Sequence, residues 1–130
     1  GLTELNLGII PGWGGTQRLP LIVGKAKALN MILFSKKIDA KESLEIGLVN
    51  QISSPESLMR DALAFADKLA KRPPIAVSCV LNAISAGAYT GIDQGLEVEK
   101  QGSAIVGQSK DCMEGFTAFL EKRDPVFTGE

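Results

Sequence analysis

Not one histidine occurs among the 130 residues. That removes the commonest general base and the commonest metal ligand, and with them histidine-dependent triads and zinc sites. Any proton transfer must run through carboxylates, Lys, Tyr or Cys. Cysteine is almost as scarce. Cys79 and Cys112 lie far apart within helical apolar patterns, too few for a disulfide framework and too distant for a metal pair. Both are expected as buried free thiols. Neither sign of charge dominates: 14 Lys plus Arg face 15 Asp plus Glu, a formal net charge of −1. That balance predicts no nucleic-acid footprint and no electrostatic attachment to membranes. Every apolar run is interrupted by Lys, Asn, Ser or Gly well before the ~18 residues a bilayer span needs. No signal peptide is visible, so a reducing, cytoplasmic setting is expected.

What is present reads as a globular chain. Hydrophobic residues make up 45% and charged residues 22%, enough apolar surface to fill a core rather than remain disordered. Length alone fits one compact unit. Leu5, Leu7 and Ile9 alternate with small or polar residues, which predicts a short strand. Pro11-Gly12-Trp13-Gly14-Gly15 then forces a turn, with Thr16 as candidate N-cap of a helix reaching Gly24 and Pro20 near its first turn. Ala26, Leu29, Ile32 and Leu33 share one helical face. Asp39 and Glu42 have the spacing of a capping box, and Gly47 sits where a left-handed residue closes a helix. Residues 48–52 read as a second strand.

The remainder reads as helical. Ser54-Pro55 looks like a helix start, followed by Leu58, Ala62, Phe65, Ala66 and Leu69 at helical spacing up to Pro73-Pro74. Pro74 opens a helix with Val77, Val80, Leu81 and Ile84 on its apolar face, expected to close at Gly87. Thr90 is expected to cap a further helix rich in glycine, weak on propensity or else closely packed. Ser109 caps a last helix carrying Met113, Phe116, Phe119 and Leu120, stopped by Asp124-Pro125. Met31, Met59 and Met113 are read as packing residues, and Tyr89 as a loop anchor.

Glu4 is the first candidate for chemistry. A carboxylate beside an apolar run loses part of its hydration, the setting of a general acid or base; an exposed edge residue is the plain alternative. The glycine turn could present backbone N–H groups to a ligand. It is neither a Walker A loop nor a dinucleotide fingerprint.

Read whole, Glu4-Leu5-Asn6-Leu7-Gly8-Ile9-Ile10-Pro11-Gly12-Trp13-Gly14-Gly15-Thr16-Gln17-Arg18-Leu19-Pro20 resembles a signature of the enoyl-CoA hydratase (crotonase) family. The resemblance continues in order through Val23-Gly24-Lys25, Ile38-Asp39-Ala40, Gly47-Leu48-Val49 and Phe119-Leu120-Glu121-Lys122-Arg123. It implies the C-terminal half of an α/β crotonase-like (ClpP/crotonase) fold, the part present being mainly α-helical with one or two short strands. Residues 1–53 would end the core, and residues 54–130 would form a helical trimerisation region.

The implied activity is reversible syn hydration of trans-2-enoyl-CoA thioesters by two glutamates, with isomerase activity on the same fold as the alternative. A non-catalytic oligomerisation or CoA-contacting module is the other reading. Glu4 matches one catalytic glutamate, although Thr3 replaces the family's usual preceding proline. Gly12 matches the glycine beside the catalytic water. Trp13 would reshape the acyl pocket or simply fill core. Phe119 and Lys122 match last-helix positions that reach the CoA of a neighbouring subunit; for Lys122 a solvated cation at a helix end is the alternative. No cofactor and no metal are implied, coenzyme A entering as part of the substrate. A homo-trimer or dimer of trimers is implied, with no nucleic acid and no membrane partner. The family's other glutamate and both oxyanion-hole N–H donors precede the Glu4 position, so the 130 residues alone are expected not to hydrate enoyl-CoA.

Overall fold

The computed structural model describes residues 1–130. It contains one 3-10 helix, Glu4–Leu7, and seven α-helices: α1 Gly15–Val23, α2 Lys25–Leu33, α3 Ala40–Glu45, α4 Leu58–Ala70, α5 Pro74–Thr90, α6 Ile92–Val106 and α7 Lys110–Glu121. Where length suggested one unit, there are two compact units, Gly1–Glu56 and Ser57–Glu130.

Neither expected strand forms. In the first segment Asn6 N–H donates to Thr3 O, Gly8 N–H to Leu5 O and Ile9 N–H to Glu4 O. Gly8, at φ 73°, closes this tight turn in the left-handed region that glycine tolerates. Leu48 and Val49 both donate their N–H to Ser43 O, continuing the end of α3. An isolated extended segment has no ladder to satisfy its backbone groups, so local bonds take them.

The first unit owns a small core. Leu19 and Val23 of α1 meet Ala28, Met31 and Ile32 of α2, with Leu2, Leu5, Ile38, Ile46 and Leu48 packed around them. Each of the larger side chains among them contributes roughly 1.5–3 kcal/mol of burial when fully covered. Asp39 caps α3 as its spacing indicated, accepting Glu42 N–H at 2.8 Å. Gly47 lies at φ 75°.

The second unit is built differently. α4 begins at Leu58 rather than at Ser54-Pro55, with Ser57 at its N-cap position and Ser57 Oγ donating to Asp61 Oδ2 at 2.7 Å. α5 runs through Gly87 to Thr90. Thr90 therefore ends α5 instead of capping α6, and its hydroxyl donates to Ala86 O at 2.8 Å. Gly91, at φ 101°, makes the turn between them.

α5 and α6 pack along each other through small residues. A Cβ placed on Gly95 would lie 2.8 Å from Gly87 Cα, and one on Gly102 would lie 3.0 Å from Cys79 Cβ. Those glycines cost helix propensity and permit this approach. Ser109 caps α7, accepting Cys112 N–H at 3.1 Å. Apolar burial in this unit is slight: Ala118 is buried, whereas Met59, Met113, Phe116 and Tyr89 are exposed. Met31 alone of the three methionines packs in a core, and Tyr89 is a helical residue rather than a loop anchor. Cys79 and Cys112 are free and half-buried.

Candidate functional site

The first unit folds its opening segment against the glycine turn. Glu4 starts the 3-10 helix behind Thr3, whose φ of −108° is well away from the −65° a proline would impose. Pro11 is buried. Gly15 must lack a side chain, because a Cβ there would lie 2.9 Å from both Leu2 Cδ1 and Pro11 Cβ. Gly14 adopts φ 89° as the N-cap of α1. The turn is thereby pressed onto the chain leading to Glu4.

Between these parts lies a cavity of about 550 Å³, lined by Leu2, Glu4, Ile9, Ile10, Pro11, Gly12, Trp13, Gly15 and Arg18. Glu4 Oε2 is buried and has no hydrogen-bond partner. Leaving a buried acceptor unmatched costs about 1–3 kcal/mol, so this oxygen is one that an added donor would satisfy. A Cβ on Gly12 would approach only Ile10 O, at 3.8 Å, which leaves the backbone at Gly12 open. The indole of Trp13 is 95% exposed, so within this chain it does not fill core.

Glu4, Gly12 and Trp13, widely spaced in role but close in sequence, thus line one cavity. Phe119 and Lys122 belong to the second unit. There a cavity of about 460 Å³ is lined by Pro73, Val106, Cys112, Phe116, Phe119 and Phe127 among others. Lys122 does not line it; it forms the left-handed C-cap of α7 at φ 56°. No group of three or more His, Cys, Asp or Glu side chains is placed to hold a metal ion. No helix is long and apolar enough to cross a membrane.

Arg18 was not singled out from the sequence, yet it is the only cationic residue lining the Glu4 cavity. Its Nη2 donates to Trp13 O at 2.5 Å. The available signal was positional. A residue four beyond the helix N-cap projects back over the preceding turn.

Comparison with known proteins agrees with this architecture. Residues 1–130 match the sequence profile of the enoyl-CoA hydratase/isomerase family, and the chain belongs to that family. It corresponds to the C-terminal, helical part of the crotonase fold. It is 42% identical over 131 residues to a probable enoyl-CoA hydratase of Bacillus subtilis (strain 168), covering 100% of this chain and 51% of that protein. It is 38% identical over 127 residues to the crotonyl-CoA hydratase of Syntrophomonas wolfei, covering 98% and 49%. The solved enoyl-CoA hydratase of Bacillus anthracis superposes with a TM-score of 0.91 at 44% identity, covering 100% of this chain and 50% of that one. The chain therefore spans about half the length of the relatives it matches.

Proposed function

We propose that this chain supplies Glu4 and the Pro11–Gly14 turn to an active site that adds water across the double bond of a trans-2-enoyl-CoA thioester. The observation that carries the reading is Glu4 Oε2, buried without a partner in a cavity it shares with the open backbone of Gly12. An unmatched carboxylate oxygen can accept a hydrogen bond from water and orient it. The same carboxyl can exchange a proton with carbon, which is general acid–base work.

In this reading Trp13 borders the acyl end and favours short chains, while Phe119 and Lys122 face coenzyme A across a subunit boundary. An exposed ammonium at the end of α7 suits a CoA phosphate. The thioester oxygen must meet oxyanion donors that belong to family positions before Glu4, so the 130 residues alone do not turn over substrate. Homo-trimers or dimers of trimers, a cytoplasmic setting and the lack of any added cofactor complete the proposal.

The test is hydration of crotonyl-CoA by an assembly in which the segment is active. Glu4→Gln should lower kcat by about 10²–10⁴-fold, the range of general acid–base catalysis. Near-normal kcat in Glu4→Gln would sink the reading. Double-bond migration without net hydration would favour the isomerase alternative.

A second reading rests on the second unit. Leu58, Leu63, Phe65, Val80, Leu81 and Ile84 are all more than half exposed there, which suits a role in assembly or CoA contact rather than chemistry. Light scattering that shows trimers of the chain without any affinity for CoA would favour it.

A further inference from the structure

We infer that Arg18 is a positioning residue, which fixes the glycine turn and so decides where Trp13 stands at the mouth of the Glu4 cavity. The inference rests on the acyl-site reading of that cavity and adds to it the residue that sets its selectivity.

The indole of Trp13 is 95% exposed and no packing fixes its place. Its backbone, however, is held. Arg18 Nη2 donates to Trp13 O at 2.5 Å. The guanidinium lies against Gly14 so closely that a Cβ there would sit 2.8 Å from Arg18 Cζ. Gly14 thus suits its φ of 89° and leaves room beside the guanidinium of Arg18.

The placement also runs against simple electrostatics. Arg18 lies in the opening turns of α1, where the helix dipole disfavours a cation. No carboxylate stands within ion-pair distance to compensate. The Trp13 carbonyl is the guanidinium's one hydrogen-bond partner. A planar guanidinium bridging a turn to its own helix gives a rigid link that a flexible ammonium matches only in part.

The consequence for the cavity is direct. Gly12 precedes the clamped residue, and Gly15 follows two positions on, so the clamp holds a stretch of chain that lines the cavity with Glu4. Freed from it, the turn would let the Trp13 backbone shift and carry the root of the indole with it. The cavity would then no longer end at a defined distance from Glu4, and discrimination between short and long acyl chains would fall.

The test uses the 130-residue chain and amide hydrogen exchange read residue by residue. Gln17 N–H donates to Gly14 O at 3.2 Å and reports the turn. Arg18→Met should speed its exchange about fivefold, the effect of losing one ordinary hydrogen bond, while the amides of α2 stay unchanged. Arg18→Lys should recover part of the protection.

Binding of crotonyl-CoA and trans-2-decenoyl-CoA is measured in an assembly in which the segment is active, with Glu4→Gln in both backgrounds to stop turnover. The ratio of their dissociation constants should narrow at least threefold in Arg18→Met. Unchanged Gln17 exchange in Arg18→Met, or equal acceleration throughout α2, overturns the positioning role. Faster Gln17 exchange in Arg18→Met with no change in the binding ratio overturns the selectivity role. If neither thioester binds that assembly, the acyl reading of the cavity falls, and the exchange result still decides whether Arg18 holds the turn.

Discussion

Glu114 grips Arg123 with both carboxylate oxygens, Oε1 to Nη1 at 2.6 Å and Oε2 to Nη2 at 2.8 Å. The same Oε1 accepts Val126 N–H at 2.8 Å. The bidentate pair folds the segment after α7 back along the helix. Arg123, and then the Val126 N–H, pull the Glu114 carboxyl down from its ordinary 4.5 to about 2.

A depressed carboxyl stabilises the folded form above its unfolded pKa and loses that contribution as pH falls toward the folded one. The protection of the Val126 amide is therefore expected to be flat above pH about 5 and to decline between about 4.5 and about 2. Glu114→Gln should abolish this dependence. Exchange measured against pH checks it, and an unchanged profile in the variant contradicts the assignment.

Asp111 anchors the same segment further on. It is 3% exposed and accepts Thr128 N–H at Oδ1, 2.7 Å, and Gly129 N–H at Oδ2, 3.0 Å. Asparagine has one acceptor oxygen and would set an NH₂ against the other N–H. Asp111→Asn is expected to cost about 1–3 kcal/mol and to open residues 124–130 to proteolysis. Resistance equal to that of the unaltered chain would contradict the anchoring role.

Two glycine-to-alanine changes should have opposite signs. In Gly95→Ala the new methyl would lie 2.8 Å from Gly87 Cα, a backbone atom that cannot step aside. Overpacking of this kind costs about 1–3 kcal/mol, more than the helix gains. In Gly115→Ala the methyl would meet Phe127 Cε1 at an ordinary 3.7 Å. Helix propensity should then stabilise α7 by about 0.5–1 kcal/mol. Urea unfolding of both variants reads the contrast.

Asp39→Ala removes the acceptor for Glu42 N–H at the start of α3. A loss of about 1 kcal/mol is expected, with Asp39→Asn or Asp39→Ser recovering most of it. A thermal melt of the three variants tests this.

Much of the architecture was legible because it is local. The caps at Asp39 and Ser109, the left-handed Gly47 and the proline-opened α5 depend on groups three or four residues apart, which spacing reveals. The two expected strands were not formed because alternation specifies a face, whereas a strand also needs a partner to bond with. Thr90 and Gly87 were misplaced for a related reason. Gly87 looked like a stop, but its lack of a side chain is used against Gly95, a contact between helices that periodicity along one helix cannot show.

The candidate site divides along the same line. The order of residues from Glu4 to Pro20 by itself determined the family, since the glycines, the carboxylate and their spacing are a linear pattern. Only tertiary structure decided that Glu4 Oε2 is buried without a partner, that Trp13 stands out from the turn and that Arg18 holds its carbonyl. Burial and pairing depend on which atoms meet after the chain turns back on itself, and a linear pattern carries residue types without those meetings.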